Sequence, residues 1–148
     1  MSYRFDIETY LKYSVPVDTY YLANILGWRI YEVSFKDDIV ADINFDLKTI
    51  QVLKTLTNKN KRLVCAFALS SEFIVENLQP IQIRSKSLKL LDFSSHKQLK
   101  QAAVSLLVPK ESLTYLVERC GITNIATLSD MFNTYENIIL YCIEKNYL

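Results

Sequence analysis

Five residues punctuate this chain of 148, Pro16, Gly27, Pro80, Pro109 and Gly121, and the long stretches between them hold no other strong breaker of a helix or strand. Two isolated glycines cannot build the Gly-rich loops that cradle dinucleotides and nucleoside triphosphates. Collagen-like and linker-like readings fail on the same count. Half of the residues are apolar and the formal charge is +1, so the chain has what one domain needs to bury a core without metal or disulfide staples. Cys65, Cys120 and Cys142 are odd in number and unevenly spaced, which suits neither a disulfide framework nor paired zinc knuckles and points to a reducing, cytoplasmic setting. No apolar run approaches the roughly 18 residues of a membrane span, and the polar opening SYRFDIETYLKY is unlike a signal peptide.

The breakers divide the chain into readable pieces. Residues 5–13 have helical apolar spacing, and VDTYYLANILG is a second helix with Asp18 as N-cap and Gly27 as stop. WRIYEVSF, IVADINF and LKTIQVL read as three strands, taken as antiparallel. From Arg62 to Leu78 the spacing turns helical, with Leu63, Phe67, Ile74 and Leu78 on one side and Glu72 and Glu76 stacked on another. After Pro80, PIQIRSKSLKLLDF holds one or two short extended pieces. A helix opens near Ser95 with a Ser95-x-x-Gln98 capping box and buries Leu99, Ala102, Ala103, Leu106 and Leu107. Three short helices follow, KESLTYLVERC, NIATLSDMF and TYENIILYCIEKNYL, the last begun by an Asn133-x-x-Glu136 box. The fold class predicted is α+β: a small three-stranded, mostly antiparallel sheet against helices, with a helical tail.

Chemistry is scarce. His96 is the sole histidine and falls in the first turn of a helix, where an exposed imidazole is ordinary, and a metal site built on it lacks partners. Cys65 and Cys142 lie on apolar helices, and Cys120 at a helix C-terminus is not activated as a thiolate. Glu72 with Glu76 and Asp37 with Asp38 read as surface carboxylates rather than a glycosidase pair. Charge is unevenly spread: residues 1–53 and 111–148 are each net −3, whereas 54–110 is net +7. That middle segment is a solvated face or a surface for an acidic partner.

Three strings, in order, resemble the ImmA/IrrE family of small zinc metallopeptidases over nearly the whole chain. PVDTYYLANILGWRIYEV at 16–33 is similar to the family's opening helix and strand. RLVCAFALSS at 62–71 falls where the family carries its His-Glu-x-x-His helix, and QLKQAAVSLLVP at 98–109 resembles the helix that brings the third zinc ligand, a glutamate. The tail IATLSDMFNTYENIILYCIEKNYL is similar to the family's closing helices. The resemblance implies one domain over 1–148, with a zincin-like core at 1–110 and a helical extension at 111–148. It sets Phe67 and Ser71 at the two histidine positions, Ala68 at the general base and Gln98 at the glutamate. Phenylalanine and alanine donate no electron pair to a metal or proton, and neutral glutamine is a poor zinc ligand, so the expectation is a degenerate site with no metal, cofactor or catalytic residue.

Active members of the family are often carried by phages and integrative elements and act on helix-turn-helix repressors. The resemblance therefore implies a catalytically inactive, protein-binding regulator in a bacterial or phage-infected cell, of unknown oligomeric state. Lys59, Lys61, Arg62, Arg84, Lys86, Lys89, Lys97 and Lys100 are its candidate interaction surface. The alternative is a nucleic-acid-binding regulator using the same segment, opposed by the acidic last helix.

Overall fold

The computed structural model describes residues 15–74, 77–90 and 97–145, with the side chains of 89 and 90 outside that description. In chain order they form α1 (Thr19–Ile25), β1 (Arg29–Val33), β2 (Ile39–Asn44), β3 (Thr49–Leu53), α2 (Asn58–Leu69) running into a 3₁₀ turn (Ser70–Phe73), β4 (Ile81–Arg84), α3 (Ser85–Leu90), α4 (Lys97–Leu107), α5 (Lys110–Thr114) continued by a π turn (Tyr115–Arg119), α6 (Ile125–Met131) and α7 (Glu136–Glu144). Contacts group Thr19–Ala103 into one unit and, among the described residues, 15–18 together with the chain from Val104 onward into a second.

The first unit is an α+β assembly on a four-stranded mixed sheet in the order β1-β3-β2-β4. This corrects the expectation of three mostly antiparallel strands. The pairs β2–β3 and β2–β4 are antiparallel, but β1 lies parallel to β3, and IQIR supplies a fourth strand at the far edge before the chain turns into α3. The reason lies in the β1–β2 connection. Residues 34–38 step past the position that β3 later fills, about 10 Å at two strand spacings, which five residues reaching about 16 Å can span. A tight hairpin with a backbone-to-Asn44 Oδ1 bond from Leu47 N at 3.0 Å then returns β3 into the gap. Pattern alone announces strands; it does not announce which neighbour each finds.

Register sorts the faces. Ile43 pairs with Ile50 and Ala41 with Val52, and Ala41 meets Ile83 across β4; all five are buried and share the face that carries the apolar core. The other face shows one row across all four strands, Tyr31, Gln51, Asp42 and Gln82, each exposed or half-exposed.

Gly27, at φ +81°, ends α1 as the sequence predicts. The mid-chain helix differs from expectation. It begins earlier, at Asn58 behind Thr57, whose side chain accepts from the Asn60 N–H, and ends at Leu69 rather than Leu78. The chain tightens to 3₁₀ over Ser70–Phe73 and is extended at Ile74, so Ile74 and Leu78 do not continue the Leu63–Phe67 stripe. Arg62 through Ser70, nine consecutive residues, are all buried. Past its polar first turn, this helix is enclosed on every side and serves as core rather than as the single buried stripe of an amphipathic surface helix. Cys65 Sγ ties it to α1 at the Thr19 carbonyl, 3.4 Å away.

From Val104 onward the second unit is built of helices and the turns between them. The π turn donates Cys120 N–H to Tyr115 O at 3.2 Å and Ile122 N–H to Leu116 O at 3.0 Å, and Gly121 at φ +69° stops it. Asn124 caps α6 by accepting from Thr127 N–H at 3.0 Å. Asn133 is not the N-cap of α7. Asn133 instead takes φ +51° as the left-handed end of α6, where asparagine is tolerated, and α7 starts behind Tyr135 without a side-chain cap. The predicted helix over 5–13, the Ser95 cap, His96 and Glu76 lie outside the described residues.

Candidate functional site

The C-terminal half of α2 and the start of α4 carry the four positions at which the resemblance places zinc chemistry. Phe67 and Ala68 have no exposed surface, each at 0%. Ser71 is half-buried, and its hydroxyl donates to the Ala68 carbonyl at 2.8 Å, closing the frayed end of its own helix. Gln98 is exposed on α4. A zinc site needs electron-pair donors converging on a point, with one position open to water. Phe67 fills the place of a donor with a ring, Ala68 offers no lone pair, and Ser71's hydroxyl proton is committed inward, so these residues do not fit a zinc centre. Among the described residues, no cluster of three His, Cys, Asp or Glu side chains could hold a metal ion.

What binds the two helices is a residue that sequence reasoning passed over. Ser70 is fully buried, and its hydroxyl lies 2.6 Å from Phe67 O and 3.1 Å from Leu99 O, so its single proton is shared between the end of α2 and the first turn of α4. Nothing in the string FALSS distinguishes Ser70 from Ser71. The helix phase does, since only Ser70 follows the buried stripe as α2 ends.

A second polar cluster was also missed. The Glu72 carboxylate accepts from the Trp28 indole N–H at 3.0 Å and pairs with Lys48 Nζ at 2.7 Å; Lys48 Nζ further reaches Leu26 O at 3.3 Å. Trp28, 5% exposed, also meets Phe45 edge-on at 6.2 Å between ring centroids. Glu72 is therefore an anchor between the end of α2 and the turns flanking β1 and β3, not a free surface carboxylate. Lys48 holds φ +53° to deliver its ammonium there.

The basic segment is not one uniform surface. Lys86 and Lys97 are exposed, and among the described residues no ion pair holds either. Arg84 is exposed but paired to Asp38 at 2.6 Å. Lys61 is drawn against Glu32 at 2.7 Å, with Tyr20 Oη 3.5 Å from the same carboxylate. The Lys61 hydrogen bond holds Glu32 below the usual carboxylate range, while burial, and then Glu32's charge, push the Tyr20 phenol up to about 12. Lys59 and Lys100 are half-buried, and Arg62 is buried. The Lys89 side chain lies outside the described residues.

Of the cysteines, Cys120 is exposed and Cys65 and Cys142 are buried, as the helical reading predicts. Burial pushes the Cys142 thiol up to about 12, far from a nucleophile at neutral pH. No helix of the described residues is long and apolar enough to cross a membrane. No protein-family model and no curated protein matches this chain.

Proposed function

We propose that this chain is a catalytically inactive relative of the ImmA/IrrE metallopeptidases that acts by binding another protein, a helix-turn-helix repressor of a phage or mobile element. The observation that carries the reading is the enclosure of Phe67 and Ala68 in the fully buried stretch Arg62–Leu69 of α2, at the positions where the resemblance requires a metal ligand and a base. An aromatic ring in that place contributes about 1.5–3 kcal/mol of burial, so the position serves the core. The Ser70–Leu99 bond also supports the reading, because it draws the Gln98 segment against the end of α2, as the family's third ligand requires.

Lys86 and Lys97 are the contacts we assign to the partner, being basic and exposed. The alternative, duplex binding, finds little help in α7, whose exposed residues include Glu136, Asn137 and Glu144; such a face repels phosphates. The test is capture of the partner with the tagged full chain, followed by its intact mass before and after incubation with added zinc. A bound repressor of unchanged mass is the expected result. A shortened one refutes inactivity, and capture of nucleic acid alone, lost steeply as salt rises, selects the alternative.

A further inference from the structure

From the exposed edge of β1, we propose that two copies of this chain pair across an isologous two-fold axis through Tyr31, joining their sheets. The sheet has two edges, and they are unequal. At one, β4 has four residues, a register break opposite Ile39–Ala41, and Arg84 held by Asp38; bulges and charges of this kind blunt an edge. At the other, β1 pairs regularly with β3 over all five residues, contains no proline or lysine, and is exposed or half-exposed throughout, Tyr31 at 46%.

The ladder fixes which amides are available. Arg29 N–H donates to Lys48 O at 3.0 Å and Val33 O accepts from Lys54 N–H at 2.9 Å. Alternation along a parallel pair then directs the Arg29, Tyr31 and Val33 backbone toward β3 and the Ile30 and Glu32 backbone outward. An antiparallel mate must bond through those two residues, and three symmetric registers do so. Centring on Ile30 would require Trp28 to pair, but its N–H is already given to Ala23 O at 2.9 Å. Centring on Glu32 would set like charges directly opposite, which is unfavourable. Centring on Tyr31 pairs Ile30 with Glu32 of the second copy twice over, making four backbone bonds, and brings the two Tyr31 rings face to face as an aromatic cross-strand pair. Arg29 then lies diagonal to the opposite Tyr31, in reach of a cation–π contact, and each Glu32 arrives with Lys61 beside it. The contact is closed by its own symmetry, so it ends at a dimer rather than a filament.

The experiment is sedimentation equilibrium on the full chain over a range of concentrations, expected to show a species of twice the 17.2 kDa chain mass. Ile30→Pro removes the outward N–H at an edge position where proline is compatible with the sheet, together with the half-buried Ile30 side chain, and Tyr31→Lys puts like charges on the axis while leaving every amide in place. Each is expected to raise the dimer dissociation constant about tenfold or more; should the first fail to fold, the second still decides. A Tyr31→Cys variant with Cys120→Ser is expected to give a disulfide dimer on mild oxidation, whereas Ile30→Cys in the same background is not. A monomer at every concentration, a dimer indifferent to both substitutions, or crosslinking through Ile30→Cys rather than Tyr31→Cys overturns the proposal.

Discussion

Glu72 shows what a single side chain holds here. Its carboxylate satisfies a buried indole and an ammonium at once, so Glu72→Ala leaves the Trp28 N–H without a partner in a place water reaches poorly. Losing a buried partner costs about 1–3 kcal/mol, and that fall in unfolding free energy is the expected outcome. Trp28 is the only tryptophan in the chain, so its fluorescence reads both the local change in the folded state and the denaturation midpoint. A midpoint matching that of the parent chain would show that water replaces the carboxylate. At alkaline pH the buried thiol sets the sign. Cys142 in the folded state keeps its proton to about pH 12, above its ordinary value of 9.0, so its contribution is fully present below about pH 9. It is lost as pH rises from there toward 12, when the unfolded chain ionises and the folded one does not. Tyr20 works in the same direction from 10.0 to about 12. Unfolding free energy measured from pH 8 upward is expected to decline, and less steeply in Cys142→Ala.

At the scale of elements, α2 is the helix on which the fold depends, and it explains both what the sequence made legible and what it hid. Strands and helices announced themselves through alternation and through the stops at Gly27 and Gly121, since those signals are local. The sheet order did not, because β1's partnership with β3 depends on a loop stepping past a strand that comes later in the chain. Asn133 misled for a related reason: one residue type serves as N-cap and as left-handed helix end, and only the backbone, φ +51° here, tells which. At the candidate site, the lack of good zinc donors at Phe67, Ala68 and Gln98 is legible because residue chemistry alone decides it, whereas the Ser70 bridge is not, because it needs the phase of α2 and the position of α4. Two substitutions measure the difference between burial and mere proximity on α2. Phe67→Ala empties a fully enclosed site and is expected to cost about 3–5 kcal/mol, while Ser71→Ala, which deletes one hydrogen bond at a half-buried helix end, is expected to cost about 1 kcal/mol or less. Denaturant midpoints of the two variants, compared at equal slope, check this; near-equal losses would mean that Phe67 does not occupy the core.

For the molecule as a whole, the near-neutral total conceals a segment of +7 between two of −3, and structure thins that segment by committing Lys61 and Arg84 to carboxylates and burying Arg62. Of the eight candidate surface residues, Lys86 and Lys97 are the two that are exposed and held by no ion pair among the described residues, each in the first described turn of a helix. That position makes them suitable for a charge-reversal experiment. A carboxylate near a helix N-terminus is stabilising by about 0.3–1 kcal/mol, so the double variant Lys86→Glu, Lys97→Glu is expected to fold at least as well as the parent. Any loss of binding then reports the surface rather than the scaffold. Charges at an interface rim act chiefly on the association rate, and their reach shrinks from about 30 Å at 0.01 M salt to about 8 Å at 0.15 M. The expected outcome is therefore a slower association with an acidic partner at low salt, a difference that narrows as salt rises, and a dissociation rate little changed, measured by surface plasmon resonance. Equal association rates for parent and variant at low salt would remove these two lysines from the interface.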